Sequence, residues 1–89
     1  MAVLTAQQVV PQYTTGGADL LGLYALHNVN AGDTIDLSTI GAPVWQLVMR
    51  AAVLGITDAV VNYAAVTGTV VTMPAGLTAA AGYMMAWGT

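Results

Sequence analysis

Ser38 and His27 are the one serine and the one histidine among 89 residues. With Asp33 or Asp36 as a third member they supply the residue types of an acyl-transfer triad: nucleophile, base and orienting acid. Their setting argues against that chemistry. Ser38 ends a strictly alternating segment, Thr34-Ile35-Asp36-Leu37-Ser38, and lacks the Gly-x-Ser-x-Gly elbow that would present its hydroxyl on a sharp turn. His27 reads as a half-buried residue ahead of an Asn28-Val29-Asn30 turn, at most a pH-sensitive contact. A metal fares no better. Asp33 and Asp36 stand three apart, so on a strand their carboxylates face opposite sides. Asn28, Asn30 and Asp33 are too few donors for a calcium loop without a following glutamate. Asp33 is better suited to closing a turn after Gly32. With no cysteine there is also no thiolate ligand, thiol nucleophile or disulfide. The expectation is a chain that is no enzyme and holds no metal or cofactor.

Composition narrows the partners. One arginine, no lysine and four aspartates give a net charge of −3, too little positive charge to neutralise a run of phosphates, so nucleic acid and anionic membrane surfaces are excluded as electrostatic partners. Hydrophobic residues make up 57% and charged residues 6% of the chain. Much of the surface must then be apolar, and with no disulfide or metal available, association is the remaining staple for so small a domain. A homo-oligomer is expected. The uncharged stretch 59–89 does not read as a membrane span, because Asn62, Thr67, Gly68, Pro74, Gly76 and Gly82 interrupt it and no cationic flank orients it.

The elements that must carry these residues read as strands. Turn signals recur at Asn30-Ala31-Gly32-Asp33, Gly41-Ala42-Pro43, Gly55-Ile56-Thr57-Asp58, Thr67-Gly68, Pro74-Ala75-Gly76 and Gly82. Between them lie segments 23–29, 34–38, 44–54, 59–66, 69–73 and 83–87, rich in Val, Thr, Tyr and Trp. The prediction is an all-β fold, a small antiparallel sandwich or barrel of about six strands spanning residues 21–89. In 34–38, Ile35 and Leu37 face the core and Asp36 the open side. In 44–54, Pro43 and Gly55 also suit the ends of a helix, but period two fits, with Trp45, Leu47, Met49, Ala51 and Val53 on one apolar face. A strand of that length calls for a bulge or bend.

Residues 1–20 read as an extended N-terminal arm that contains Pro11 and a Gly16-Gly17 joint ahead of the first compact element. Val3, Leu4, Val9, Val10 and Tyr13 are more apolar than a solvated tail needs and are candidate partner-binding residues. Among the large rings, Trp45 and Tyr63 are expected in the core, and Tyr13 and Trp87 at an interface. Arg50 is either an ordinary surface ion or an intersubunit one.

The run Leu26-His27-Asn28-Val29-Asn30-Ala31-Gly32-Asp33-Thr34-Ile35-Asp36-Leu37, followed by Arg50-Ala51-Ala52-Val53-Leu54-Gly55 and by Gly68 through Leu77, resembles small head-decoration proteins of tailed bacteriophages. The resemblance implies a cement subunit on the outer surface of the capsid, commonly a trimer, that reinforces contacts between major capsid protein subunits. A tail, neck or fibre component, or a small membrane-associated protein, are the alternative expectations.

Overall fold

The chain is described here by a computed structural model over residues 2–15, 19–40, 44–55 and 61–89. Eight strands lie in these residues: β1 (Val9–Thr15), β2 (Leu20–Val29), β3 (Thr34–Asp36), β4 (Val48–Gly55), β5 (Val61–Tyr63), β6 (Ala65–Thr67), β7 (Val70–Thr72) and β8 (Ala80–Gly88). A 3-10 turn covers Leu37–Thr39. The strands form two antiparallel sheets, ordered β1-β2-β8-β4-β5 and β3-β7-β6. The sheets are unclosed and make a small β-sandwich, so the all-β expectation holds. No helix among the described residues is long and apolar enough to cross a membrane.

Local chemistry explains the connections. Gly32 (φ 83) sits where a type II turn requires positive φ, and the Asp33 amide closes that turn on the Asn30 carbonyl at 3.1 Å. The hairpin between β6 and β7 turns on Gly68-Thr69, one residue later than Thr67-Gly68, with Gly68 at φ 64. The turns expected at Gly41-Ala42-Pro43 and Ile56-Thr57-Asp58, and the Gly16-Gly17 joint, lie outside the described residues.

The core fills the space between the sheets. Tyr24, Leu26, Ala51, Val53, Met84 and Ala86 point in from the large sheet, and Ile35, Leu37, Val71, Met73 and Leu77 come from the small sheet and its connections. Ile35 and Leu37 are buried as their alternation predicts, although Leu37 already belongs to the 3-10 turn. Trp45 is buried as expected. Leu47 and Met49 are not: a bulge between Val48 and Arg50 shifts the parity of β4, so Val48 goes inside and Met49 and Arg50 both face out.

Residues 2–15 are two extended pieces joined by a turn at Ala6–Gln8, where the Gln8 and Val9 amides donate to the Thr5 carbonyl at 3.0 and 3.1 Å, and both pieces are built into the sandwich. β1 pairs with β2 along its length, and residues 2–4 run beside β3, where the Leu4 amide donates to the Thr34 carbonyl at 2.8 Å and the Thr34 amide to the Ala2 carbonyl at 2.9 Å. Leu4 and Val9 are buried in the chain's own core, which corrects their assignment to a partner: side chains already packed against this core have no apolar surface left to offer another protein.

Candidate functional site

The polar residues that suggested chemistry serve the fold. Both oxygens of the buried Asp33 carboxylate accept backbone amides, from Ala2 at 3.0 Å and Asn30 at 2.9 Å. Those two amides hold its carboxyl below the usual carboxylate range, against the upward push of burial. Asp36 is held down likewise, first by the Thr69 hydroxyl at 2.6 Å and then by the hydroxyl and amide of Ser38 at 2.7 and 3.0 Å. The Ser38 hydroxyl is thus spent on Asp36. The Asn30 side chain accepts the Ala79 amide at 2.8 Å, and this steadies Ala79 at its positive φ of 44. Among the described residues no group of three or more His, Cys, Asp or Glu side chains gathers as a metal site would need.

These two aspartates set an acid limit. Their depressed folded-state pKa values mean that the unfolded chain binds more protons between the folded values and about pH 3.9. The stability they contribute is fully present above that pH and is lost as pH falls through their folded values. The urea midpoint is therefore expected to be flat from pH 5 to 7 and to drop below about pH 4, with a shallower drop in Asp36→Asn. A midpoint indifferent to acid would contradict both anchors.

The surface that stands out is the outer face of the five-stranded sheet. On β8 burial alternates strictly. Ala80, Gly82, Met84, Ala86 and Gly88 are inside, while Ala81, Tyr83, Met85 and Trp87 point away from the core. The strand thus turns its bulkiest side chains outward. Register extends the face across the sheet: Leu21, Leu23 and Ala25 of β2 lie opposite Trp87, Met85 and Tyr83, and Arg50, Ala52 and Leu54 of β4 lie opposite the same three. Antiparallel sheets with one solvated face alternate apolar and polar residues; among the nine residues paired in these rows only Arg50 is charged, and the exposed His27 lies further along β2. Leu23, Ala52, Leu54, Tyr83, Met85 and Trp87 line a depression of about 250 Å³.

β1 and β5 complete the face. Tyr13 lies opposite Leu23, Val10 opposite Ala25, and Tyr63 opposite Ala52. Tyr13 is 62% and Tyr63 64% exposed, so Tyr63 is not a core ring as expected: β5 is the sheet's last strand, and among the described residues no second layer covers its outer side. The Arg50 guanidinium lies 5.0 Å from the centre of the Tyr63 ring, a cation–π contact at the margin.

Of the seven residues singled out in the sequence, the structure gathers Val10, Tyr13, Arg50 and Trp87 on this one face. Val3 is exposed elsewhere, beside β3, and Leu4 and Val9 are core. Leu23, Leu54, Tyr63, Tyr83 and Met85 were missed as surface residues. Their signal was present in Ala80–Trp87, where both parities are apolar and the outward one is the bulkier. No protein-family model, curated protein or solved structure matches the chain.

Proposed function

We propose that the chain is a structural virion subunit of a tailed bacteriophage, a head-decoration protein. It binds the outer surface of the capsid and stabilises contacts between major capsid protein subunits. The observation that carries this reading is the apolar outer face of the large sheet, with Tyr, Trp, Met and Arg, the residue types enriched at protein interfaces, and no acidic residue or lysine. A face of that kind suits a subunit whose working state is an assembly. The resemblance of the Leu26–Leu37, Arg50–Gly55 and Gly68–Leu77 segments to decoration proteins supplies the kind of assembly.

Cementing needs no reacting group. Each apolar contact contributes roughly 25 cal/mol per Å² removed from water, and linking copies in an oligomer multiplies weak contacts into durable attachment. The test is co-sedimentation of the purified protein with empty phage-type shells, followed by heating. The protein is expected to pellet with the shells and to raise the temperature at which they come apart. Protein that stays in the supernatant at micromolar concentration overturns the reading, and so does labelling confined to tails.

A further inference from the structure

Read across the strands at the level of Met85, the outer face runs Tyr13, Leu23, Met85, Ala52, Tyr63, one residue from each of β1, β2, β8, β4 and β5. The row is nearly palindromic: a ring at each margin, an aliphatic side chain inside each ring, and a methionine in the middle. β8 is the central strand, with two strands on either side. We propose that the occupant of this face is the same face of a second copy of the chain, laid over it about a twofold axis beside Met85. This rests on the reading above, that the face is covered in the working state, and goes further by naming what covers it.

Area, charge and shape agree. Five strands at about 4.8 Å spacing, with five or six residues at about 3.3 Å from each of β1, β2, β8 and β4 and three from β5, span roughly 24 by 18 Å, narrowing at the β5 margin. Allowing for side-chain relief, that is on the order of 700 Å² of accessible surface per copy, close to the roughly 800 Å² per partner of a standard stable interface. A foreign partner would be selected by complementary charge, and the face offers one cation, already stacked on its own Tyr63. Like faces can meet without repulsion because Arg50 lies one strand over and one inward-outward repeat along from Met85, opposite Trp87. A twofold axis in the interface plane, whether along β8 or across it, then sets the two Arg50 positions about 10 Å or more apart, a full screening length at physiological salt. The central depression between the marginal tyrosines gives the second copy's Met85 and its neighbours a place to go. Twofold isologous contact is the commonest closed arrangement, and it covers the face completely with one partner.

The pair leaves exposed apolar side chains outside the face, Val3 and Val44 among them, for the shell.

The experiment is the mass of the full chain by light scattering at 10–100 µM, with Met85→Glu and Met85→Cys alongside. Met85 is 43% exposed, so both changes leave the core untouched. Wild type is expected at twice 9.1 kDa, and Met85→Glu, which buries a carboxylate at the centre of both faces, at the monomer mass with an unchanged far-UV spectrum. Because the chain has no other cysteine, a short bis-maleimide should join two copies of Met85→Cys in high yield and two copies of an exposed control, Thr78→Cys, hardly at all. The crosslinking keeps the proposal testable even where Met85→Glu folds poorly. A monomeric wild type, a mass of three chains, or crosslinking no greater at position 85 than at 78 overturns it. Shell binding is scored separately. A paired protein that ignores shells refutes the decoration reading alone, and a monomer that binds them refutes the pairing alone.

Discussion

Gly88→Ala is expected to destabilise the chain by about 3 kcal/mol or more, through the addition of one methyl group. Gly88 is buried near the end of β8, opposite Val48. A Cβ there would fall onto the Leu47 carbonyl oxygen, with the Met49 nitrogen at 2.9 Å and the Val48 Cα at 3.0 Å. All three obstacles are backbone, so no rotamer change relieves them. Nor can the backbone retreat easily, because the Thr89 amide donates to the Leu47 carbonyl at 2.9 Å and the Thr89 carbonyl accepts from Gln46 and Leu47 at 2.8 and 2.9 Å. The methyl group must therefore break either this clasp or the bulge that starts β4. For a domain of this size the loss corresponds to a fall in Tm of roughly 12–24 °C, measured at fixed protein concentration. Gly68→Ala is the control. It has positive φ (64) but no atom within 4 Å of the added Cβ, so it should cost only about 1–2 kcal/mol of left-handed strain. Equal losses in the two variants would mean that the approach of β8 to residues 47–49 is looser than the structure has it.

The bulge beside Gly88 also marks where sequence reading gives out. Alternation made Thr34–Leu37 legible, because a polar-apolar repeat names the inward face by itself, and Ile35 and Leu37 are indeed buried. In 44–54 nearly every residue is apolar, so alternation is silent about which parity is inside and about the residue at which parity changes. That is decided by pairing with Gly88 and Trp87, some forty positions away. Segment 59–66 has the pattern of one strand, but within the described residues it is divided at Ala64: Val61–Tyr63 extends the large sheet and Ala65–Thr67 belongs to the small one. No breaker residue marks the switch, and the Ala64 amide still donates a hydrogen bond to the Ala51 carbonyl at 2.8 Å. The N-terminal segment looked like an arm because Gln7, Gln8, Pro11 and Gln12 dilute its apolar residues. What ties it down lies elsewhere in the chain: β2 pairs with β1, β3 takes residues 2–4 along its flank, and Asp33 reaches back to the Ala2 amide. The apolar outer face was half visible for a related reason: single residues such as Tyr13 and Trp87 read as surface rings, but their gathering depends on strand order, and strand order is not a local property.

Trp45→Ala should be the largest loss among the core side chains, about 3–5 kcal/mol. Trp45 precedes β4 and is 3% exposed; its indole Nε1 donates to the hydroxyl of the fully buried Tyr24 at 2.8 Å. Gly22 makes room for the pair, since a Cβ there would lie 2.9 Å from Tyr24 Cε1 and 3.2 Å from Trp45 Cζ2. The indole thus contributes both volume and a satisfied buried donor, and the two can be separated. Tyr24→Phe keeps nearly all the volume but leaves the Trp45 N–H without its acceptor, and is expected to cost about 1–3 kcal/mol. Adding Tyr24→Phe to Trp45→Ala should then cost less than Tyr24→Phe alone, because the donor it would orphan is already gone; the difference is the coupling energy of the bond. A pH signature accompanies it. Burial pushes the Tyr24 hydroxyl above its ordinary value, although the indole donor pulls the other way. The stability tied to its neutral form is present below about pH 10 and is lost as pH rises from there through the folded value. Tyr24→Phe should flatten that alkaline decline while lowering stability at neutral pH. Urea midpoints from pH 7 to 11 for the two proteins decide the matter: parallel curves would remove Tyr24 from the alkaline decline.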